Sequence, residues 1–340
     1  MLIVVIIMKV KIKNKNTKIA LFSLSLLVIA SVTTYILLTP PKEKILVSKV
    51  GSIETGGGAV DVDVIDGIAY ISEMRANALK IINVSDPSNP VLLSSYEVSG
   101  NHQLSVQNQI VYITDHNRGL VVINVTNASH PVFISRYSDP GFIDDLYIVN
   151  DTAYVIDQDD GLEIVDISDP TNLVKLGSFN FGGTGQYNVD VIIRDNIAYL
   201  TDQVSGFYIA DVSDPTNITE LYHYEGSGMG WMDIYNDFLY IPNQQTVLLF
   251  NIEDPESTKL IREIKVGTGP FVITIKNDLA CVSTDTEGVK ILDLSNPRYP
   301  KVIGSFNNEG MPFMTSIEND YIYVAGTSSG LEILQMTPLN

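Results

Sequence analysis

IDDLYIVNDTAYVIDQDDGLEIVDISDPTNLVKLGSF, residues 143–179, decides the fold. Four short runs rich in β-branched and aromatic residues are separated by Asn150-Asp151, by Asp157-Gln158-Asp159-Asp160-Gly161 and by Ser168-Asp169-Pro170-Thr171-Asn172. Gly, Asn and Asp tolerate positive φ, and Pro pre-sets a turn. No helical spacing of apolar residues runs through the stretch, so it reads as four strands at 143–149, 152–157, 162–167 and 173–179.

The unit recurs. An aromatic inside an apolar run falls at Tyr70, Tyr112, Tyr154, Tyr199, Tyr240 and Tyr323, with Cys281 in the same place in the sixth unit. The spacings are 42, 42, 45, 41, 41 and 42 residues. A period in this range, built from short strands, marks a repeat architecture, and four antiparallel strands per unit make a propeller blade. The expected fold is all-β, a seven-bladed β-propeller of four-stranded antiparallel blades. The seventh unit stops after three strands. Residues 45–53, ILVSKVGSI, read like the fourth-strand phrases PVLLSSYEV (90–98) and LVKLGSFNF (173–181). They are expected to pair with 331–336 and close the ring, which leaves no long sheet edge exposed. In the first strands apolar pairs recur two apart: Val62 and Val64, Leu104 and Val106, Leu146 and Ile148, Val191 and Ile193. Period two puts each pair on one face of its blade, and the repeated tyrosines are expected between blades.

The third-strand phrase carries a resemblance. GLEIVDISDP (161–170), GFYIADVSDP (206–215), GLVVINVT (119–126), GVKILDLSNP (288–297), ALKIINVSDPSNP (78–90) and GLEILQM (330–336) resemble LVIVD repeats. The fifth unit departs, reading VLLFNIEDP at 247–255. The resemblance covers about 45–340. It implies a propeller fold and a bacterial or archaeal surface location, and it implies no defined reaction.

Residues 19–38, IALFSLSLLVIASVTTYILL, are uncharged and mostly apolar, which matches the ~20 residues needed to span a bilayer as a helix. Lys9, Lys11, Lys13, Lys15 and Lys18 precede the stretch, and Pro40-Pro41 ends it. Lysines on that side hold it in the cytoplasm. The expected organisation is a basic cytoplasmic tail (1–18), a transmembrane signal anchor (19–38), a linker (39–44) and an extracytoplasmic propeller (45–340). A cleaved signal peptide is the competing reading, with Val28-Ile29-Ala30 as its small-residue site. Residues 1–7 fit neither pattern, so Met1 and Met8 both stand as starts. Asn83, Asn124, Asn127, Asn150 and Asn217 open Asn-x-Ser/Thr sequences, compatible with glycosylation of an exported chain.

The chain carries a net charge of −19. Beyond residue 44 there are 14 basic and 39 acidic residues, a net of −25. Such a surface repels phosphate backbones and argues against nucleic acid as a partner. An envelope protein or a glycan is the expected partner, with the membrane reached through the N-terminal segment. Cys281 is the only cysteine, so an intrachain disulfide is excluded. It reads as a small buried hydrophobe.

Loops joining blades share one face of a propeller with the turns between second and third strands. His102, Phe142, Tyr187, Trp231, Phe271 and Phe313 fall at similar places around that channel mouth. The turns add Glu73, Asp115, Asp157, Asp202, Asn243 and Asp285, and Asp61, Asp145 and Asp190 begin their first strands at equivalent positions. Aromatic faces beside carboxylate acceptors suit sugars or a protein surface. The bland alternative is that the aromatics plug the channel and the acids cap turns. Two spacings were weighed as calcium loops, Asp61-x-Asp63-x-x-Asp66-Gly67 and Asp157-Gln158-Asp159-Asp160-Gly161. The first lies on a strand, whose successive residues point to opposite faces, and lacks a downstream bidentate Glu in register; the second reads by default as a solvated turn. No cofactor or metal is expected. An enzyme needs convergent acid, base or nucleophile. The one constellation of that kind is His102, Asp115 and His116. Three functions remain open: a binding or adhesion module, a polysaccharide hydrolase or lyase using mouth carboxylates, and a structural envelope component.

Overall fold

The computed structural model describes residues 42–115, 118–138, 141–181, 188–308 and 310–339. Within them, 28 strands form seven four-stranded antiparallel sheets. In chain order the blades are 59–97, 101–137, 143–179, 188–225, 233–264, 270–306 and 312–338, numbered 1 to 7 here. In blades 1 to 6 four consecutive strands lie side by side from the inside outward. Blade 7 takes its outer strand from the start of the domain. Ile45–Ile53 pairs with Gly330–Pro338 in eight residue pairs, from Ile45 opposite Pro338 to Ile53 opposite Leu331. The closure expected from the phrase 45–53 is therefore present, and Leu339 N–H also donates to the Lys44 carbonyl at 3.1 Å. The segment 19–38 lies outside the described residues, among which no helix is long and apolar enough to cross a membrane.

The repeat explains why each blade is a blade. Turns between first and second strands place Asp66 and Gly67 at φ 51° and 76°, and Asp195 and Asn196 at 54° and 62°. This is the twist that two-residue hairpins require. The inner strands of blades 1 to 4, 6 and 7 shift register near their start, at Ala59/Asp61, Asn101/Leu104, Ile143/Asp145, Asn188/Asp190, Pro270/Val272 and Pro312/Thr315. A bulge there adds local twist, which a radially arranged sheet needs.

Seven hydrophobic clusters hold the ring, one in each gap between neighbouring blades. The repeated aromatics sit in them. Tyr70 packs with Leu104 and Ile113 of blade 2, and Tyr154 with Val191 and Leu200 of blade 4. Tyr240 is fully buried and its hydroxyl donates to the Pro297 carbonyl of blade 6 at 2.8 Å. Cys281 is fully buried between blades 6 and 7, and burial pushes its thiol up to about 12, which leaves it unreactive.

The outer strands are locked as well. In four of the seven gaps the turn after the third strand of the following blade leans on its neighbour at a small residue. Ser94 donates to Ala128 O at 2.6 Å and Ser135 to Pro170 O at 2.5 Å. At Gly177 and Gly51 a Cβ would collide with the carbonyls of Pro215 and Pro87. Gly51 is on the closing strand, so this contact joins blade 7 to blade 1.

A chain beginning at Lys42 is expected to melt like the intact protein. One beginning at Glu54 loses the closing strand, exposes the cores on both sides of blade 7 and melts at least ~10 °C lower, as scanning calorimetry would read. Gly51→Val, which crowds the blade 7 to blade 1 contact, is expected to cost about 1–3 kcal/mol in denaturant titrations.

Candidate functional site: the channel and its mouth

Strand register assigns the residues that face the axis. Asp61 lies across from Ser72, Asp190 from Thr201 and Val272 from Ser283. The first layer around the ring is therefore Asp61, Gln103, Asp145, Asp190, Trp231, Val272 and Met314. Two residues deeper, Asp63 and Asp233 stand beside the repeated tyrosines, opposite Tyr70 and Tyr240.

The carboxylates join blades. Asp61 Oδ2 accepts from Leu104 N–H of blade 2 at 2.8 Å, and Asp145 Oδ2 from Val191 N–H of blade 4 at 2.9 Å. Asp190 Oδ2 accepts from Met232 N–H of the fifth repeat at 2.6 Å. Deeper down, Asp233 accepts from Ile275 N–H at 2.5 Å and Asp63 from Val106 N–H at 3.3 Å. In the fifth repeat Trp231 replaces the first-layer acid. There the main chain makes the link directly, because Trp231 N–H donates to Phe271 O at 3.0 Å and Trp231 O accepts from Ile273 N–H at 3.1 Å.

Removal from water disfavours the charged form of these acids. Burial pushes Asp61 and Asp233 up to about 7, and it raises Asp63 as well. Asp145 rises to about 6, chiefly through burial. Asp190 is held well above its ordinary value by burial and then by the Asp145 charge, and the two side chains share a hydrogen bond. Each carboxylate's charge opposes ionisation of the other.

The aromatics gather on one side of the mouth. Trp231 meets Phe313 edge-on at 4.9 Å between ring centroids, and Phe313 meets Phe271 at 5.6 Å. All three are half-buried. Trp231 also reaches toward the far blades. With the Gln103 amide assigned by its partners, its nitrogen donates to Asp61 Oδ2 at 2.8 Å and its oxygen accepts from the Trp231 indole Nε1 at 3.0 Å. Three sequence-singled aromatics are thus brought together, and one is tied to Asp61. Phe142 is half-buried beside its own turn, where its carbonyl accepts from Gln158 N–H at 2.9 Å. Tyr187, His116 and the side chain of His102 lie outside the described residues.

The turn acids stand apart from this cluster. Asp157 Oδ1 accepts from Asp159 and Asp160 N–H at 2.7 and 2.8 Å, and Asp202 Oδ1 caps Val204 and Ser205 in the same way. These are Asx caps. Asp115 is buried and paired with Arg136 at 3.1 Å. In the sixth repeat the strand ends at Thr284, whose hydroxyl donates to Gly288 O, so Asp285 lies one residue beyond the equivalent place. Gln103 and Asp233 were missed from sequence, and Asp63 was noticed only as part of a calcium spacing. The two acids had a signal, because period two puts Asp63 on the face of Asp61. Gln103 had none, since its neighbours had drawn attention only as carboxylates.

The LVIVD repeat profile matches residues 56–98, 101–139, 140–181, 185–225 and 272–308, more than half of the chain. The chain is an LVIVD repeat protein. Blade 5, where VLLFNIEDP departs from the phrase, and blade 7 fall outside those matches, yet both fold as blades. Comparison with curated proteins finds no match. Among solved structures, this LVIVD protein is similar to virginiamycin B lyase from Staphylococcus aureus, at 14% identity, 87% of this chain, 100% of that chain and a TM-score of 0.65. It is also similar to the Pan2 WD40 domain of Neurospora crassa (11%, 88% and 98%, TM-score 0.67) and to the computationally designed Ika8 protein (8%, 86% and 99%, TM-score 0.63). At these identities the likeness concerns the fold alone.

A carboxyl held above its ordinary value binds its proton more tightly in the folded chain, so it stabilises at low pH and that gain is lost as pH rises through the folded value. The channel acids place this loss around pH 6–7. Exposed turn acids such as Asp86, Asp169 and Asp214 are lowered, chiefly by Ser88, Thr171 and Thr216 hydroxyls, and act oppositely on the acid side. Melting temperature is therefore expected to rise by at least ~2 °C as pH falls from 8 to 5, then to drop below pH 4. Asp190→Asn should flatten the slope above pH 6 in the same thermal melts.

Proposed function

We propose that this LVIVD propeller is a membrane-anchored, extracytoplasmic binding module that engages an envelope protein or a glycan through the channel-mouth face. The observation that carries this reading is the half-buried cluster of Trp231, Phe271 and Phe313 at the mouth. Packed aromatics with exposed edges give a rigid contact surface at small entropy cost. The apolar, lysine-preceded segment 19–38 supports anchoring with the propeller outside. The strongly acidic body supports a partner other than nucleic acid.

The second reading, a polysaccharide hydrolase or lyase, draws on the hydrogen bond between Asp145 and Asp190. Each of these acids also accepts a main-chain N–H of the next blade. They hold the scaffold, and a catalytic acid or base needs oxygens free to meet substrate. A purely structural envelope role is the third reading. Virginiamycin B lyase and the Pan2 WD40 domain share the fold, so architecture alone does not choose among them.

Full-length protein is expected in the membrane fraction and to be digested by protease added outside intact cells, whereas a chain beginning at Lys42 is expected in the soluble fraction of the expressing cells. Trp231→Ala with Phe313→Ala should reduce capture of envelope proteins or glycans at least tenfold without changing the far-ultraviolet spectrum. Unchanged capture, with no glycan or envelope protein retained by the intact propeller, would leave the structural role.

A further inference from the structure

The seven units act as internal controls for one another at one position of the third strand, where blades 2 and 5 carry the aliphatic residues Val121 and Leu248. The third residue of the third strand is Lys80 in blade 1, Glu163 in blade 3, Lys290 in blade 6 and Glu332 in blade 7. Each of these long side chains forms an ion pair: Lys80 with Glu73, Glu163 with Lys175, Lys290 with Glu287 and Glu332 with Lys49. In blade 4 the residue is Tyr208, stacked on His223 at 4.0 Å. In blade 2 it is Val121, too short to fill the same space. A cleft of about 450 Å³ opens over it, between the outer part of blade 1 and blade 2. That volume falls within the range of about 300–1,000 Å³ usual for small-molecule sites.

The lining is unlike that of the other blades. Opposite Val121 stands Arg136, where blades 1, 3, 6 and 7 carry Ser95, Ser178, Ser305 and Ser52. Arg136 pairs with Asp115 Oδ2, while the buried Asp115 Oδ1 has no hydrogen-bond partner among the described residues. A buried carboxylate oxygen left unpaired costs about 1–3 kcal/mol, so a donor arriving from the cleft would be well received. Arg118 and Glu97 also line the cleft, and neither is ion-paired among the described residues. Tyr96 and Phe133 supply aromatic surface, and Phe133 is 48% exposed.

We propose that this cleft is a carbohydrate subsite for a neutral pyranose unit, a site separate from the mouth aromatics on the same face. The proposal rests on the binding-module reading and names a ligand class for it. Two arginines and two carboxylates balance, so an anion would face Asp115 and Glu97, and a cation would face Arg118 and Arg136. A neutral sugar meets both sets. One hydroxyl donates to Asp115 Oδ1, others accept from the Arg118 guanidinium, and the C–H face of the ring lies on Phe133.

The test uses the full-length protein in detergent on an array of neutral, acidic and amino-sugar glycans, followed by calorimetric titration of the best binder. The variants are Arg118→Ala, Val121→Glu and, as a control away from both sites, Lys301→Ala. Val121→Glu installs the residue found in blades 3 and 7 beside Arg136; because Val121 is buried in the core between blades 1 and 2, thermal melts check that this variant folds, and Arg118→Ala tests the cleft from its exposed side. Binding of a neutral glycan, weakened at least tenfold by Arg118→Ala and by Val121→Glu and changed less than twofold by Lys301→Ala on the exposed outer strand of blade 6, is the expected result. Neutral-glycan binding untouched by both cleft variants overturns the subsite and leaves the binding module standing. Preference for acidic or amino sugars overturns the ligand class. If no glycan binds while envelope proteins are still captured, the subsite falls alone; if neither is retained, the binding reading falls with it.

Discussion

Eight antiparallel residue pairs between Ile45–Ile53 and Gly330–Pro338 keep every other interface of the ring in place. In a radial array each blade is covered on both faces only by its neighbours, so the cores are shared property of adjacent blades. Blade 7 without its outer strand would bare parts of two such cores, the one where Val47 packs with Ile291 and Met336, and the one where Val50 and Ile53 pack against Ile333 and Ile82. A linear stack could end in caps. A closed ring has no end, so its weakest joint governs all seven gaps.

The channel acids do a second job of joining. An aspartate from one inner strand accepts an N–H from the next, in two layers, wherever the repeat supplies one. This arrangement trades solvation of the carboxylate for a bond to the neighbour, and the raised proton affinities of Asp61, Asp145, Asp190 and Asp233 record that exchange. An acidic channel in a propeller therefore need not signal a bound cation or a reaction. Where Trp231 displaces the acid, a parallel bridge to Val272 takes over, and the indole is free to reach across to Gln103.

Much of the fold was legible because the code is local and repeated. Turn residues, period-two alternation and the tyrosine at 42-residue spacing each specify the blade without reference to distant parts, and the phrase at 45–53 announced the closing strand. The site was less legible. Sequence spacing placed Asp61, Asp145 and Asp190 at equivalent positions, which was correct, but it carried no information about which atoms their oxygens would meet. Ligand acceptance and main-chain acceptance look identical in a sequence. Asp157 and Asp202 did follow their local Asx chemistry. Val121 was invisible as a feature because a valine in a strand attracts no notice. Only the packing, in which its counterparts in blades 1, 3, 6 and 7 are long and ion-paired, sets off its shortness beside a cleft.

The closing strand is also the point where the chain enters the propeller, with Lys44 and Leu339 bonded side by side. Any mechanical load arriving along the N-terminal segment is delivered first to the strand that completes the circle. Rupture under tension would thus begin at the seam, and the ring would open there before any other gap.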